Sequence, residues 1–212
     1  MKKIIFCLLL ISPCWMFAQI GIKAGLNFAN VSNASSINNN SRSGFHAGIL
    51  LGSSSKKILG FRTEFTYSKQ GYDYKSSSNT GTVNLDYIMS SNLTTISITK
   101  YFQIQLGAQT SYLISAKVDS SNGSGSSNPY SKILDLYNRI DYGFAGGIEI
   151  HPVSGLLIGA RVNISLGQLY KSAQSGQVPS FSSINAKNNV FQVFAGWRLG
   201  KNEKKKKDKK ED

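Results

Sequence analysis

The stretch that most constrains this chain is 102–118, FQIQLGAQTSYLISAKV. Phe102, Ile104, Leu106, Ala108, Tyr112, Ile114, Ala116 and Val118 fall on even positions, joined by Thr110. Gln103, Gln105, Gly107, Gln109, Ser111, Ser115 and Lys117 fall on odd ones. Only Leu113 breaks the odd register. A period of two over this length is a β-strand with one apolar and one polar face, because successive side chains of a strand point to opposite sides. A helix would spread the same residues around its whole surface. The run also exceeds the five or six residues usual in soluble strands.

Seven further segments share the pattern. Ile20–Phe28 sets Ile20, Ile22, Ala24, Leu26 and Phe28 against Gly21, Lys23, Gly25 and Asn27. Gly44–Gly52, Leu59–Gln70, Leu85–Thr99, Asp141–His151, Leu156–Gly167 and Val190–Leu199 complete a set of eight. In Leu85–Thr99 the apolar parity changes from Leu85, Tyr87 and Met89 to Ile96 and Ile98. That change predicts a β-bulge near Ser90-Ser91-Asn92. Long Asn/Ser/Gly-rich connections (30–43, 71–83, 119–139, 168–188) alternate with short ones near 53–57, 100–101 and 152–155. Long loops therefore collect at one end and tight turns at the other. Asp135–Ile140 reads as a helical turn.

Alternation does not say which face is wet. In these segments the apolar face carries no charged residue. The polar face carries Lys23, Arg62, Glu64, Asp86, Asp141, Glu149, Arg161 and Arg198, four bases and four acids suited to pairing in a confined lumen. It is also rich in glycine, including Gly21, Gly25, Gly48, Gly107 and Gly147, which weakens an exposed soluble strand and leaves room for long charged side chains in a narrow barrel. Strands of this kind, even in number, with short turns at one end, are the pattern of outer-membrane barrels. A sheet in hydrocarbon must also close, since each unpaired backbone group there costs several kcal/mol. The sequence thus predicts an all-β, eight-stranded antiparallel up-and-down transmembrane β-barrel over 19–200. Tyr67, Tyr87, Tyr112, Tyr142 and Trp197 are read as outward aromatics of the interfacial girdles.

The ends of the chain agree with export. Residues 1–18, MKKIIFCLLLISPCWMFA, have a basic start, a short apolar run and a small residue before Gln19, the plan of a signal peptide. The run is too short to span a bilayer as a helix. Cys7 and Cys14 both lie within it, so the mature chain has no disulfide and no thiolate metal site. The lysine-rich tail 201–212, KNEKKKKDKKED, is expected to be a solvated periplasmic end that could contact an acidic envelope partner or lipid headgroups.

The chain's formal charge is +13, which raises nucleic-acid binding. No clustered basic face or nucleic-acid motif supports that reading. No phosphate loop, zinc spacing or calcium loop is present, so no cofactor is expected. The two histidines, His46 and His151, stand apart, with no Ser-His-acid set to make an enzyme. The eight charges are expected to form a structural ion-pair plug, because an eight-stranded interior is just wide enough for side chains to fill it. A narrow proton or small-ion path is the other reading of ionisable groups at this depth.

FRTEFTYSKQGYDY (61–74), LDYI (85–88), FQIQLGAQTSYLISAKV and DYGFAGGIEI (141–150) carry a resemblance to a known family. The chain resembles the PorT-type outer membrane protein beta-barrel domain proteins of Bacteroidetes. The resemblance implies an exported eight-stranded outer-membrane barrel and specifies no activity. It departs from the family pattern at Met89-Ser90-Ser91-Asn92, where an apolar, proline-containing strand is usual, and in the tail after Leu199. The expectation is an integral outer-membrane protein with a structural or surface-interaction role and outer-membrane lipid around it. The alternatives are a subunit of an envelope transport or secretion assembly and a soluble lipocalin-like ligand-binding barrel.

Overall fold

The computed structural model describes residues 19–32, 38–52, 58–75, 80–120, 134, 137–171 and 186–199. The leader 1–18, the tail 201–212 and the centres of several loops lie outside the described residues. Eight strands follow in order: β1 (Gln19–Ser32), β2 (Asn38–Gly52), β3 (Leu59–Lys75), β4 (Thr80–Ser97), β5 (Phe102–Ser120), β6 (Ile140–Ile150), β7 (Leu156–Ser165) and β8 (Lys187–Leu199). Each pairs antiparallel with the next, and β1 pairs with β8 to close the barrel. Among the described residues no helix is long and apolar enough to cross a membrane. The apolar surface is carried by strands instead.

The alternation resolves as a barrel turned inside out relative to a soluble one. Outward positions are large and apolar, with Ile22 54% and Phe144 60% exposed, and Leu26, Ile49, Phe65, Ile148 and Val193 likewise exposed. Lys23, Arg62, Glu64, Glu149, Arg161 and Arg198 point inward and are buried. This arrangement opposes the lipocalin-like alternative, which needs the apolar face inside.

Both chain ends of the barrel, Gln19 and Leu199, lie beside the short connections 53–58, 98–101 and 151–155. In the last of these Gly155 has φ of 92°, a conformation that favours glycine. A Cβ there would also press on the Trp197 ring at 3.1 Å. At the other end the strands run further than expected. β1 to β2 leaves only 33–37 and β3 to β4 only 76–79, where loops 30–43 and 71–83 were predicted. Long connections persist only after β5 and β7. Of the predicted helical turn Asp135–Ile140, residues 135–136 lie outside the described residues, Tyr137 forms an isolated bridge to Tyr170 and Ile140 begins β6.

The predicted bulge in β4 is absent. Val83, Leu85, Tyr87, Met89, Ser91, Leu93 and Thr95 are all buried, a single unbroken parity, and the β3–β4 register runs without a shift. The irregularity lies one strand on. Asp86 pairs with Ser115 but Tyr87 with Leu113, so Ile114 of β5 has no opposite number. The extra residue reverses the facing of β5: Leu113 and Ala116 both point inward, and Lys117 outward. A second shift between Ser41 and His46 places an extra residue in β2 opposite β3.

Candidate functional site

The only candidate site the described residues build is the lumen itself, and it is filled in three tiers. The lowest is ionic. Glu64 on β3 accepts from Lys23 Nζ at 2.7 Å and from Arg161 Nη1 and Nη2 at 2.8 and 3.0 Å. β7 stands four strands from β3 in the closed ring, so the Arg161 fork crosses the full bore. Glu149 on β6 accepts from Arg62 at 2.6 and 3.0 Å and from Arg198 at 2.9 Å. His151 Nε2 stands 3.0 Å from the same carboxylate.

Two glutamines stitch the acids together. Gln105 Nε2 donates to Glu149 at 2.5 Å while its Oε1 accepts from Arg161 at 2.5 Å. Gln103 Oε1 accepts from Arg62 at 3.1 Å and from Arg198 at 3.4 Å. Sequence reasoning placed both on the polar face but looked only for charge, and so left them out of the cluster. Their signal was the inward parity of β5.

Of the eight predicted charges, six meet and two do not. Asp141 points into the barrel wall higher up, where Ser165 Oγ donates to it at 2.5 Å, and no base joins it among the described residues. Asp86 has the parity of exposed Ile88 and lies on the exterior beside the Tyr67 hydroxyl. The expected balance of four bases and four acids is therefore four bases to two acids within the cluster. The surplus is spread over neutral acceptors: the carbonyls of Gln103 and Gln105, and the face of buried Phe194. Lys23 Nζ lies 4.3 Å and Arg161 Cζ 5.2 Å from that ring centroid. Leu50, Leu157 and Phe194 form a small apolar cluster alongside.

The middle tier is neutral. Asn27 Nδ2 donates to Ser68 Oγ at 2.9 Å and to the Lys69 carbonyl at 2.8 Å. Its Oδ1 accepts from Gln192 at 3.0 Å and lies 2.8 Å from His46 Nδ1. Asn188 donates to Gln70 at 2.6 Å, and Gln70 to Ser68 at 2.8 Å.

The upper tier is apolar and aromatic. Val31, Tyr72, Val83, Leu85, Tyr87, Met89, Leu113, Tyr137, Leu169 and Tyr170 are buried together. Tyr87, predicted to face outward, is 1% exposed within it. The Tyr72 hydroxyl meets those of Tyr137, at 3.1 Å, and Tyr170. The backbone bond from Leu113 N to Arg139 O (2.7 Å) ties the first long connection to β5, and that from Asn138 N to Leu169 O (2.9 Å) ties it to the second. Burial raises the Tyr137 and Tyr170 phenols above their ordinary value. Tyr67, Tyr112, Tyr142 and Trp197 lie outside, as predicted.

Among the described residues no three His, Cys, Asp or Glu side chains gather as metal ligands. An apolar exterior around a solid, hydrogen-bonded interior defines an integral membrane β-barrel of the small, filled kind. The chain belongs to the outer membrane protein beta-barrel domain family, whose model matches residues 16–171, and it is an outer-membrane protein. No curated protein matches it in sequence. Among solved structures it is similar to Neisserial surface protein A, at 18% identity over 85% of this chain and 97% of that one, with a TM-score of 0.49. It is also similar to Ail, the attachment invasion locus protein of Yersinia pestis, at 13% identity over 87% and 100%, with a TM-score of 0.46. OprG from Pseudomonas aeruginosa aligns at 13% identity over 88% and 98%, with a TM-score of 0.43.

Proposed function

We propose that the protein is a non-catalytic outer-membrane barrel of the PorT-type kind, delivered by cleavage of the leader 1–18, whose role is structural or one of surface contact. The observation that carries this is the filled lumen. A diffusing solute would have to part the fork from Arg161 to Glu64, the fork from Arg62 to Glu149 and the tyrosine cap in turn. Both histidines are already engaged, His46 with Asn27 and His151 with Glu149, and among the described residues neither is hydrogen-bonded to a serine. In this reading outer-membrane lipid surrounds the belt and no cofactor takes part.

Reconstitution into planar bilayers tests it. The expected record shows no steady conductance from the folded protein. Stable channel openings that follow protein insertion would overturn the closed-lumen reading. A place in an envelope transport or secretion assembly would use the tail 201–212, whose lysines suit an acidic partner. Purification in mild detergent separates the two: stoichiometric envelope proteins lost on deleting 201–212 would favour the assembly.

A further inference from the structure

Among the described residues a polar patch interrupts the belt. Outward positions on β3, β4 and β5 hold Thr63, Ser90, Asn92, Thr94, Ala108 and Thr110, where the rest of the belt holds residues such as Ile22, Ile49, Phe144 and Val193. The strand register makes them one patch. Asn92 pairs with Thr63 on one side and with Ala108 on the other, and Ser90 pairs with Thr110. Asn92 lies midway along β4 between Ser97 at the lower end and Asp86 beside the Tyr67 hydroxyl. This is the middle of the apolar band, on the outside of the barrel.

Asn92 is exposed there. Its Oδ1 accepts from Thr63 Oγ1 at 2.9 Å, and among the described residues its amide nitrogen meets no acceptor. A carboxamide donor facing hydrocarbon is costly. Polar side chains framed by small ones are the pattern by which membrane segments associate, since small residues let backbones approach and the polar groups bond across the contact.

We propose that this patch is the contact face of a two-fold pair, and that its occupant is a second copy of this chain. The inference rests on the membrane reading of the exterior. The patch bears no charge that would call for an opposite one. A carboxamide is its own complement: across a two-fold axis each Asn92 Nδ2 donates to the other copy's Oδ1, which keeps a lone pair after accepting from Thr63. Each copy then satisfies the donor that the other leaves open.

The test uses the full mature chain in lipid vesicles, with the monomer–dimer equilibrium read by single-molecule photobleaching. Heat-modifiable gel migration serves as the control for folding. Asn92→Leu removes the carboxamide and matches the apolar belt around it, and it is expected to weaken the dimer about tenfold while staying folded. The mature chain has no cysteine, so Ser90→Cys is expected to crosslink to its own copy with a short thiol reagent. Val193→Cys, on the opposite wall, is expected not to. A folded, inserted wild type that stays monomeric overturns the inference and leaves the membrane reading standing. So does equal dimerisation of Asn92→Leu, or a companion of different sequence held at the patch. A chain that fails to insert overturns both.

Discussion

Arg62 holds Glu149 with two parallel hydrogen bonds, Nη1 to Oε2 at 2.6 Å and Nη2 to Oε1 at 3.0 Å, across the barrel from β3 to β6. Charge-assisted forks of this geometry are the strongest hydrogen bonds a protein makes. Here the fork also decides which substitutions the lower lumen tolerates.

Removing the acid alone should be severe. Glu149→Gln leaves Arg62 and Arg198 buried without their anion and is expected to cost about 3–5 kcal/mol. Replacing both partners, as in Arg62→Met with Glu149→Leu, should cost less than Glu149→Gln, because only Arg198 and not Arg62 as well is left buried without its anion. Urea unfolding in detergent or vesicles reads both, and a double variant weaker than the single would contradict the argument.

The inward glycines set the bore. A Cβ on Gly147 would lie 2.3 Å from the Ala160 carbonyl oxygen and 3.0 Å from Arg161 Cβ. Gly147→Ala therefore has to push β6 away from β7 or displace the Arg161 fork, and should cost about 1–3 kcal/mol. Gly146→Ala, one residue earlier and facing out, meets Leu106 Cδ2 at 3.3 Å and the Gln105 carbonyl oxygen at 4.0 Å, and should cost less. Equilibrium unfolding of the pair checks the difference.

The exterior carries its own test. Phe144 pairs with Ala108, which pairs in turn with Asn92, inside the apolar band and away from the strand ends. Phe144→Arg should lower folding stability in lipid by about 2–4 kcal/mol, the cost of a base at mid-depth on a lipid face. Leu199→Arg, at the strand end, should lower it by about 1 kcal/mol or less. Equal effects in vesicle refolding would contradict the depth assigned here.

The tyrosine cap should respond to alkali. Burial raises the Tyr137 and Tyr170 phenols, so the folded state holds their protons more tightly than the unfolded chain does. Their stabilisation is complete below pH about 10, the ordinary tyrosine value, and is lost as pH climbs through their raised values. Absorbance titration should show part of the tyrosine signal delayed past that point. Tyr72→Phe removes the hydroxyl that both meet, and should speed amide exchange at 137–139 and 167–170 while leaving β6 and β7 protected.

The barrel was legible in the sequence because a period of two runs through most of every strand, and the absence of charge on one face identified the lipid side. What misled was β4. Its interior is apolar above, at Leu85, Tyr87 and Met89, and polar below, at Ser91 and Thr95. Its exterior runs the other way, from Asp86 to Ile96. Polarity assigned by composition therefore changed parity halfway, suggesting a bulge that is not there, an outward Tyr87 and an inward Asp86. Leu113, the one odd apolar residue of β5, was the overlooked clue: it belongs to the same upper core, and the true bulge follows it at Ile114. A face can be read locally, whereas a change of filling with height is set by side chains from other strands.

β3, β4 and β5 have 17, 18 and 19 residues, against 11 and 10 in β6 and β7. The rim of the barrel is consequently slanted, and one side stands well above the other as hydrogen-bonded ribbon. On the expectation that the termini face the periplasm, that parapet is what an approaching molecule would meet first. A visitor would find a preformed relief there and would lose little conformational entropy in fitting to it.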